Sequence, residues 1–185
     1  MILPIVLYGN SILREVAKPV EKDFPNLTQL VENMYETMRK AEGIGLAAPQ
    51  IGQSIRLIVI DVTTLKGEKD YPELATAPDT LTLVNPTVLE HFGEMISKEE
   101  GCLSLPKIHE RVIRPNGIKI KYFDTDFNEH TSEFEGFFAR AIQHELDHID
   151  GHVFTDRISP LRKQMIKSKL FDIIKKKTNC GYKVK

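Results

Sequence analysis

The chain has 185 residues, 41% of them hydrophobic and 28% charged, with a net charge of −1 and two cysteines. It contains no internal repeat or low-complexity tract, and two cysteines give no disulfide framework, so a repeat array and a disulfide-stapled scaffold are excluded. No apolar run approaches the roughly 18 residues of a membrane span, and Met1-Ile2-Leu3-Pro4-Ile5-Val6 lacks the basic start and long apolar region of a secretory leader. One domain over residues 1–185 in a reducing cytoplasm, with no membrane partner, is expected.

In chain order, the first helix is predicted near Leu27 to Ala41, where Leu27, Leu30, Val31, Met34, Met38 and Ala41 have helical spacing. Gly43-Ile44-Gly45-Leu46-Ala47-Ala48-Pro49-Gln50 follows. The glycine-rich turn of a dinucleotide site must follow a strand and open a helix, whereas this segment follows a helix and carries Pro49. Its glycines therefore point to a backbone passing close to something, with the Gln50 amide as a donor beside it.

Ile55 to Val62, Leu81 to Val84, Glu94 to Ser97, Val112 to Arg114, Ile118 to Phe123 and Thr131 to Phe134 read as strands separated by Gly, Pro, Asn and Asp turns. Thr63 to Thr80 reads as a surface insertion without an assigned role. Strands in runs joined by short turns predict an α+β fold, with mostly antiparallel sheets packed around a central helix and a further helix at Pro160 to Lys177.

The central helix carries Gln143-His144-Glu145-Leu146-Asp147-His148. Phe137, Ala141, His144 and His148 succeed one another at steps of four, three and four, so both imidazoles continue an apolar stripe and should be largely buried. Gly151 fits the stop, and the start falls at Gly136 or slightly earlier, with Ser132 and Glu135 as a capping box. Two histidines four apart with a carboxylate after the first is the H-E-x-x-H pattern of metal-dependent hydrolases. A divalent cation offsets the several kcal/mol that a buried carboxylate otherwise costs.

Downstream, neither a histidine nor a glutamate stands where the known protease patterns place the third ligand. The H-E-x-x-H-x-x-G-x-x-H pattern of one protease class finds Gly151 in place but Phe154 where the last histidine should stand. No glutamate follows Glu145, which leaves Asp156 and Asp172 as downstream carboxylates and His91, Cys102, His109 and His130 as upstream candidates. Among these, Cys102 stands out in Glu99-Glu100-Gly101-Cys102-Leu103-Ser104-Leu105-Pro106, where Gly101 permits a tight turn and Pro106 limits continuation of a central strand. A structural metal site would need a fourth protein ligand, for which Cys180 or His109 is available.

Taken together, the segments Gly43 to Gln50, Glu100 to Ser104 and Gln143 to His148 resemble the three signature motifs of the peptide deformylases, G-x-G-x-A-A-x-Q, E-G-C-L-S and Q-H-E-x-D-H, without a substitution and in order. The resemblance implies metal ligands Cys102, His144 and His148, a catalytic Glu145, and oxyanion donors in Gln50 and the Leu103 N–H. It implies removal of the formyl group from the formyl-methionine of nascent peptides, with Fe²⁺ as the native ion. The ligand chemistry alone also admits Zn²⁺, Ni²⁺ or Co²⁺. A helical C-terminus resembles the type I branch.

Three protein ligands leave a tetrahedral ion one open position, where water can reach a pKa of about 7. Glu145 would take a proton from that water and later pass it to the leaving amine. Ala141 and Phe137, on the His144 face, with Ile44, Gly43 and Gly45, are the expected lining of a recess for the methionine side chain. The tail, with Arg162, Lys163, Lys167, Lys169, Lys175, Lys176, Lys177, Lys183 and Lys185 against Asp172 alone, is an expected contact to ribosomal RNA.

Overall fold

The computed structural model describes residues 1–185. Helix α1 (Leu27–Lys40) buries Leu27, Val31, Met34 and Met38, the stripe set by its sequence spacing. Strands β1 (Gly45–Ala47), β2 (Leu57–Asp61), β3 (Thr80–Cys102), β4 (Leu105–Phe123) and β5 (Glu129–Glu135) follow. They form one sheet in the order β1-β2-β3-β4-β5, antiparallel throughout. Each strand thus lies beside its sequence neighbour, the commoner arrangement for consecutive strands.

The expected strands at Leu81 to Val84 and Glu94 to Ser97 are parts of one 23-residue β3, and those at Val112 to Arg114 and Ile118 to Phe123 are parts of the 19-residue β4. The residues that read as turns are irregularities within continuous pairing. Asn85-Pro86 lies at the Val84/Thr87 register shift, and Gly93 at the Phe92/Met95 shift opposite Asn116. Extra residues at such bulges leave the ladder without ending it, which is where proline and glycine are tolerated in strands. Asn85, at φ 52°, also pairs its side-chain amide with both backbone groups of Val20.

Helix α2 (Gly136–Ile149) starts where β5 ends. Ser132 remains in β5 and Glu135 makes no side-chain cap, so the alternative capping box does not form. The cap comes from far away: the Glu73 carboxylate accepts from Phe137 N at 3.0 Å. Gly136, at φ +63°, leaves room for it, because a Cβ there would lie 2.7 Å from Glu73 Oε1. At the other end His152 N reaches Asp147 O and Gly151 N reaches His148 O, with Gly151 at φ +78°. This double closure is the Schellman arrangement that a glycine after a helix supports.

One side of α2, with Phe138, Ile142, Leu146 and Ile149, joins Ile58, Ile60, Ile118 and Ile120 in the sheet core. The other side carries Phe137 and Ala141, half-buried, and the two histidines. The segment from 63 to 80 is not wholly a surface insertion: Leu74 is fully buried in the same core, and Tyr71 packs on Phe137 with ring centroids 4.6 Å apart.

The expected C-terminal helix is broken at Ile166 into α3 (Pro160–Met165) and α4 (Lys167–Ile174). Ile166, Leu170 and Ile173 face the core while the lysines project outward. No helix is long and apolar enough to cross a membrane.

Candidate active site

Four segments meet on the open side of α2. Cys102 is the last residue of β3, so the expected turn begins one residue later: Leu103-Ser104 connects the paired Cys102 and Leu105. Gly101 stays in the strand opposite His109, and Pro106 occupies the second position of β4 inside a wide register shift. The chain thereby delivers the Cys102 thiol to α2, where Sγ lies 3.2 Å from His148 Nε2. The candidate ligand atoms of Cys102, His144 and His148 all lie within 4.8 Å of one another.

None of the other candidates joins them. His91 pairs with Ile118 along the hairpin, His130 bonds Asp124, and Asp156 is held by Arg14 and Lys163. His109 and Cys180 border the cavity without joining the ligand group, so a fourth protein ligand is not provided. Phe154 stacks on His144 at 5.9 Å between ring centroids. Its position in the motif is thus used for packing.

Gln50 sits on a 3-10 turn (Ala48–Ile51) directly after β1. Its Oε1 accepts from Ala47 N at 2.8 Å, which directs Nε2 toward Cys102 Sγ at 3.4 Å and Ser104 Oγ at 3.3 Å. The two glycines permit close approaches of two kinds. A Cβ on Gly43 would lie 2.7 Å from Leu103 Cδ1, and one on Gly45 would overlap the Glu145 carboxylate. The expectation that this backbone passes close to something is met by these two side chains.

Around the histidines lies a charged network that sequence reading missed. His144 Nδ1 bonds Glu100 Oε2 at 3.0 Å, which leaves Nε2 to face the ligand group. Glu100 also receives both arms of Arg114, at 2.7 and 2.9 Å, and Arg140 Nη1 at 2.7 Å. Arg114 continues to Asp147 at 2.9 Å, and Arg157 closes on the same carboxylate. Glu100, Arg114, Arg140 and Asp147 are all buried. The available signal was positional: Glu100 opens the cysteine motif, and Arg140 lies one helical turn before His144.

Burial opposes ionisation of Glu100, but the hydrogen bonds from Arg114 and His144 outweigh it and hold the carboxyl well below its usual range. For Cys102, burial is likewise outweighed by the charge of His148 and hydrogen bonds from both histidines, which bring the thiol down to about 5. Glu145 behaves oppositely. Burial dominates and pushes its carboxyl up to about 7, and Oε2 is buried without a hydrogen-bond partner. A thiol poised to ionise beside two imidazoles and an unpaired carboxylate oxygen is a donor set that fits a divalent transition metal.

Phe137, Ala141, Ile44, Gly43, Gly45, Leu103 and Gln50 line one cavity of about 470 Å³ with Cys102, His144 and Glu145. Residues 2–164 match the family model described as polypeptide deformylase. The chain belongs to the peptide deformylase family. It is 44% identical to the peptide deformylase of Christiangramia forsetii, over 100% of this chain and 96% of the relative. The peptide deformylase structure from Plasmodium falciparum superposes with a TM-score of 0.82 at 32% identity, over 93% of this chain and 95% of that one. A class I type b deformylase from Acinetobacter baumannii, described as bound to Met-Ala-Ser, gives 0.76 at 37% identity over 85% and 99%. The activity of the family, and of this enzyme, is metal-dependent removal of the N-formyl group from newly made peptides.

Proposed function

We propose that formyl-methionyl peptides are hydrolysed at the Cys102, His144 and His148 centre, with Glu145 as base and then acid, and with Gln50 and the Leu103 N–H as oxyanion donors. The observation that carries this assignment is the Glu145 oxygen, buried and unpartnered, beside three clustered metal-ligating atoms. A divalent ion held by the thiolate and the two imidazoles would supply the Lewis acidity that makes water nucleophilic near neutral pH.

Glu145 takes a proton from the water that attacks the formyl carbon. The carbonyl becomes tetrahedral, and its oxygen, now negative, accepts from Gln50 Nε2 and the Leu103 N–H. Such a donor typically contributes about 3 kcal/mol to the transition state. Glu145 then returns its proton to the amine nitrogen as the C–N bond breaks, leaving formate and a free amino terminus. The Glu145 oxygen that is buried without a hydrogen-bond partner is available to move one proton in both directions.

Ile44, Phe137 and Ala141 would hold the methionine side chain in their apolar recess. Gly43 and Gly45 keep the wall thin beside it. Met-Ala-Ser, the ligand of the Acinetobacter relative, is the product class expected here, with the residues after methionine lying along the cavity.

Fe²⁺ is the proposed native ion, and Zn²⁺, Ni²⁺ or Co²⁺ are chemically acceptable substitutes. Metal content paired with thiol titration checks this: air should consume the Cys102 thiol in iron-loaded protein faster than in zinc-loaded protein. Lys167, Lys169, Lys175, Lys176 and Lys177 project from the C-terminal segment without acidic partners and suit contact with ribosomal RNA. Ribosome binding that weakens with salt, and with neutralisation of these lysines, is expected.

Formate release from a formyl-Met peptide by the wild type and by Glu145→Gln, with metal measured in both, tests the catalytic assignment. The variant should keep its metal and lose about 100-fold or more in kcat. Full activity in a metal-replete variant would remove Glu145 from the chemistry.

A further inference from the structure

After α4 the chain does not leave the molecule as a free basic end. Asn179, Cys180, Gly181 and Tyr182 line the same cavity as Gln50, Cys102 and Glu145. The segment is tied down just beyond: Ile5 N donates to Lys183 O and Lys185 N to Ile5 O, both at 2.9 Å, with Ile5 and Val184 bridged in parallel. It lies past residue 164, where the family match ends. Cys180 is thus part of a strap at the cleft.

The strap makes one direct contact with the reacting region. Tyr182 Oη donates to Leu103 O at 2.6 Å. Leu103 begins the two-residue turn from Cys102 to Leu105, and the rest of that turn is already fixed. The Leu103 side chain rests on Gly43, Ser104 Oγ accepts from Gln50, and Ser104 O accepts from Tyr8 N at 2.8 Å. The Leu103 carbonyl takes its partner from the strap. The Leu103 N–H and C=O lie in two peptide planes joined at its Cα, so with Cys102 held in pairing with Leu105, anchoring the carbonyl limits the φ and ψ rotation through which the N–H could reorient.

We propose that Asn179–Tyr182 forms one wall of the channel for the peptide residues after methionine, and that Tyr182 is a positioning residue that aims the Leu103 N–H at the formyl oxygen. The proposal rests on the reading of Gln50 and Leu103 as oxyanion donors. Gly181 contributes the channel's open side, since a Cβ built on it meets nothing within 4 Å. An extended peptide would pass there, against main chain.

Tyr182→Phe removes only the hydroxyl. In the full-length, metal-loaded enzyme, kcat for formyl-Met-Ala-Ser should fall about tenfold, with KM within about twofold of wild type and metal content unchanged, because donor aim affects the transition state more than binding. A merely structural hydroxyl would lower thermal stability and leave kcat alone. Gln50→Ala is measured in parallel. Wild-type kcat in Tyr182→Phe, where Gln50→Ala is slow, overturns the positioning role alone. If Gln50→Ala is also unimpaired, the oxyanion reading falls and takes that role with it. Gly181→Trp tests the wall: the ratio of KM for formyl-Met-Ala-Ser to KM for formyl-methionine amide should rise about tenfold, and an unchanged ratio overturns it.

Discussion

Gly45 lies against the Glu145 carboxylate with no space for even a methyl group between them. The antiparallel pairing of Gly45 with Ile60 holds that backbone in the sheet, so it cannot retreat without breaking the β1 ladder. Gly45→Ala should therefore move Glu145 rather than the strand. A displacement near 1 Å costs about 100-fold in rate. Formate assays should show that loss in kcat, with a nearly native circular dichroism spectrum.

Arg114 is fully buried between Glu100 and Asp147, one carboxylate on β3 and the other on α2. Removing one partner of such a group leaves buried charge uncompensated. Arg114→Met should lower unfolding stability by about 3–5 kcal/mol, measurable as a shift in urea midpoint. Metal affinity should fall as well, because Glu100 also orients His144.

Glu73 caps α2 across 64 residues of sequence. Glu73→Ala removes an acceptor and a negative charge from the helix start, an effect of about 1 kcal/mol. Phe137 bears the capped N–H and packs on Tyr71, so KM for formyl-methionyl peptides should rise alongside the small loss in melting temperature. Glu73→Gln, which keeps an acceptor oxygen, should recover most of the KM.

Asp156 accepts from Val153 N at 3.0 Å and pairs with Arg14 and Lys163. Burial opposes its ionisation, but those partners outweigh it, so its folded pKa lies below the ordinary 3.8. A lowered carboxylate stabilises the fold fully above the ordinary value and loses that contribution as pH falls through the folded one. Asp156→Asn should be less stable than wild type at about pH 7, and the gap in urea midpoint should narrow toward about pH 2.

Regular spacing made the helices around the site legible. Val31, Met34 and Met38 marked α1, and Gly151 marked the end of α2. For the candidate metal-ligating set, residue chemistry marked His144 and His148 but left several third ligands open, and the resemblance of the three motifs singled out Cys102, which lies beside both histidines. Strand continuity was not legible, since Asn85-Pro86 and Gly93 have the composition of turns and become bulges only when a partner strand lies alongside. Glu100 stands in a charged run after Lys98 and Glu99, and Arg114 between Ile113 and Pro115, so neither pattern marks an inward-facing charge, and their burial depends on the docking of α2. Tyr182 meets Leu103 across 79 residues, a pairing that local sequence pattern does not encode.

The Cys102 thiol and the His148 imidazole are separated by 46 residues, and all of β4 and β5 and nearly all of α2 lie between them. During synthesis, a chain whose α2 is still inside the ribosome has the thiol but neither imidazole. The centre therefore forms late, after the hairpin has closed and the helix has docked on it. Metal uptake in a refolding experiment should follow, rather than lead, burial of Arg114, which makes the ion a reporter of the docking of α2 on the hairpin.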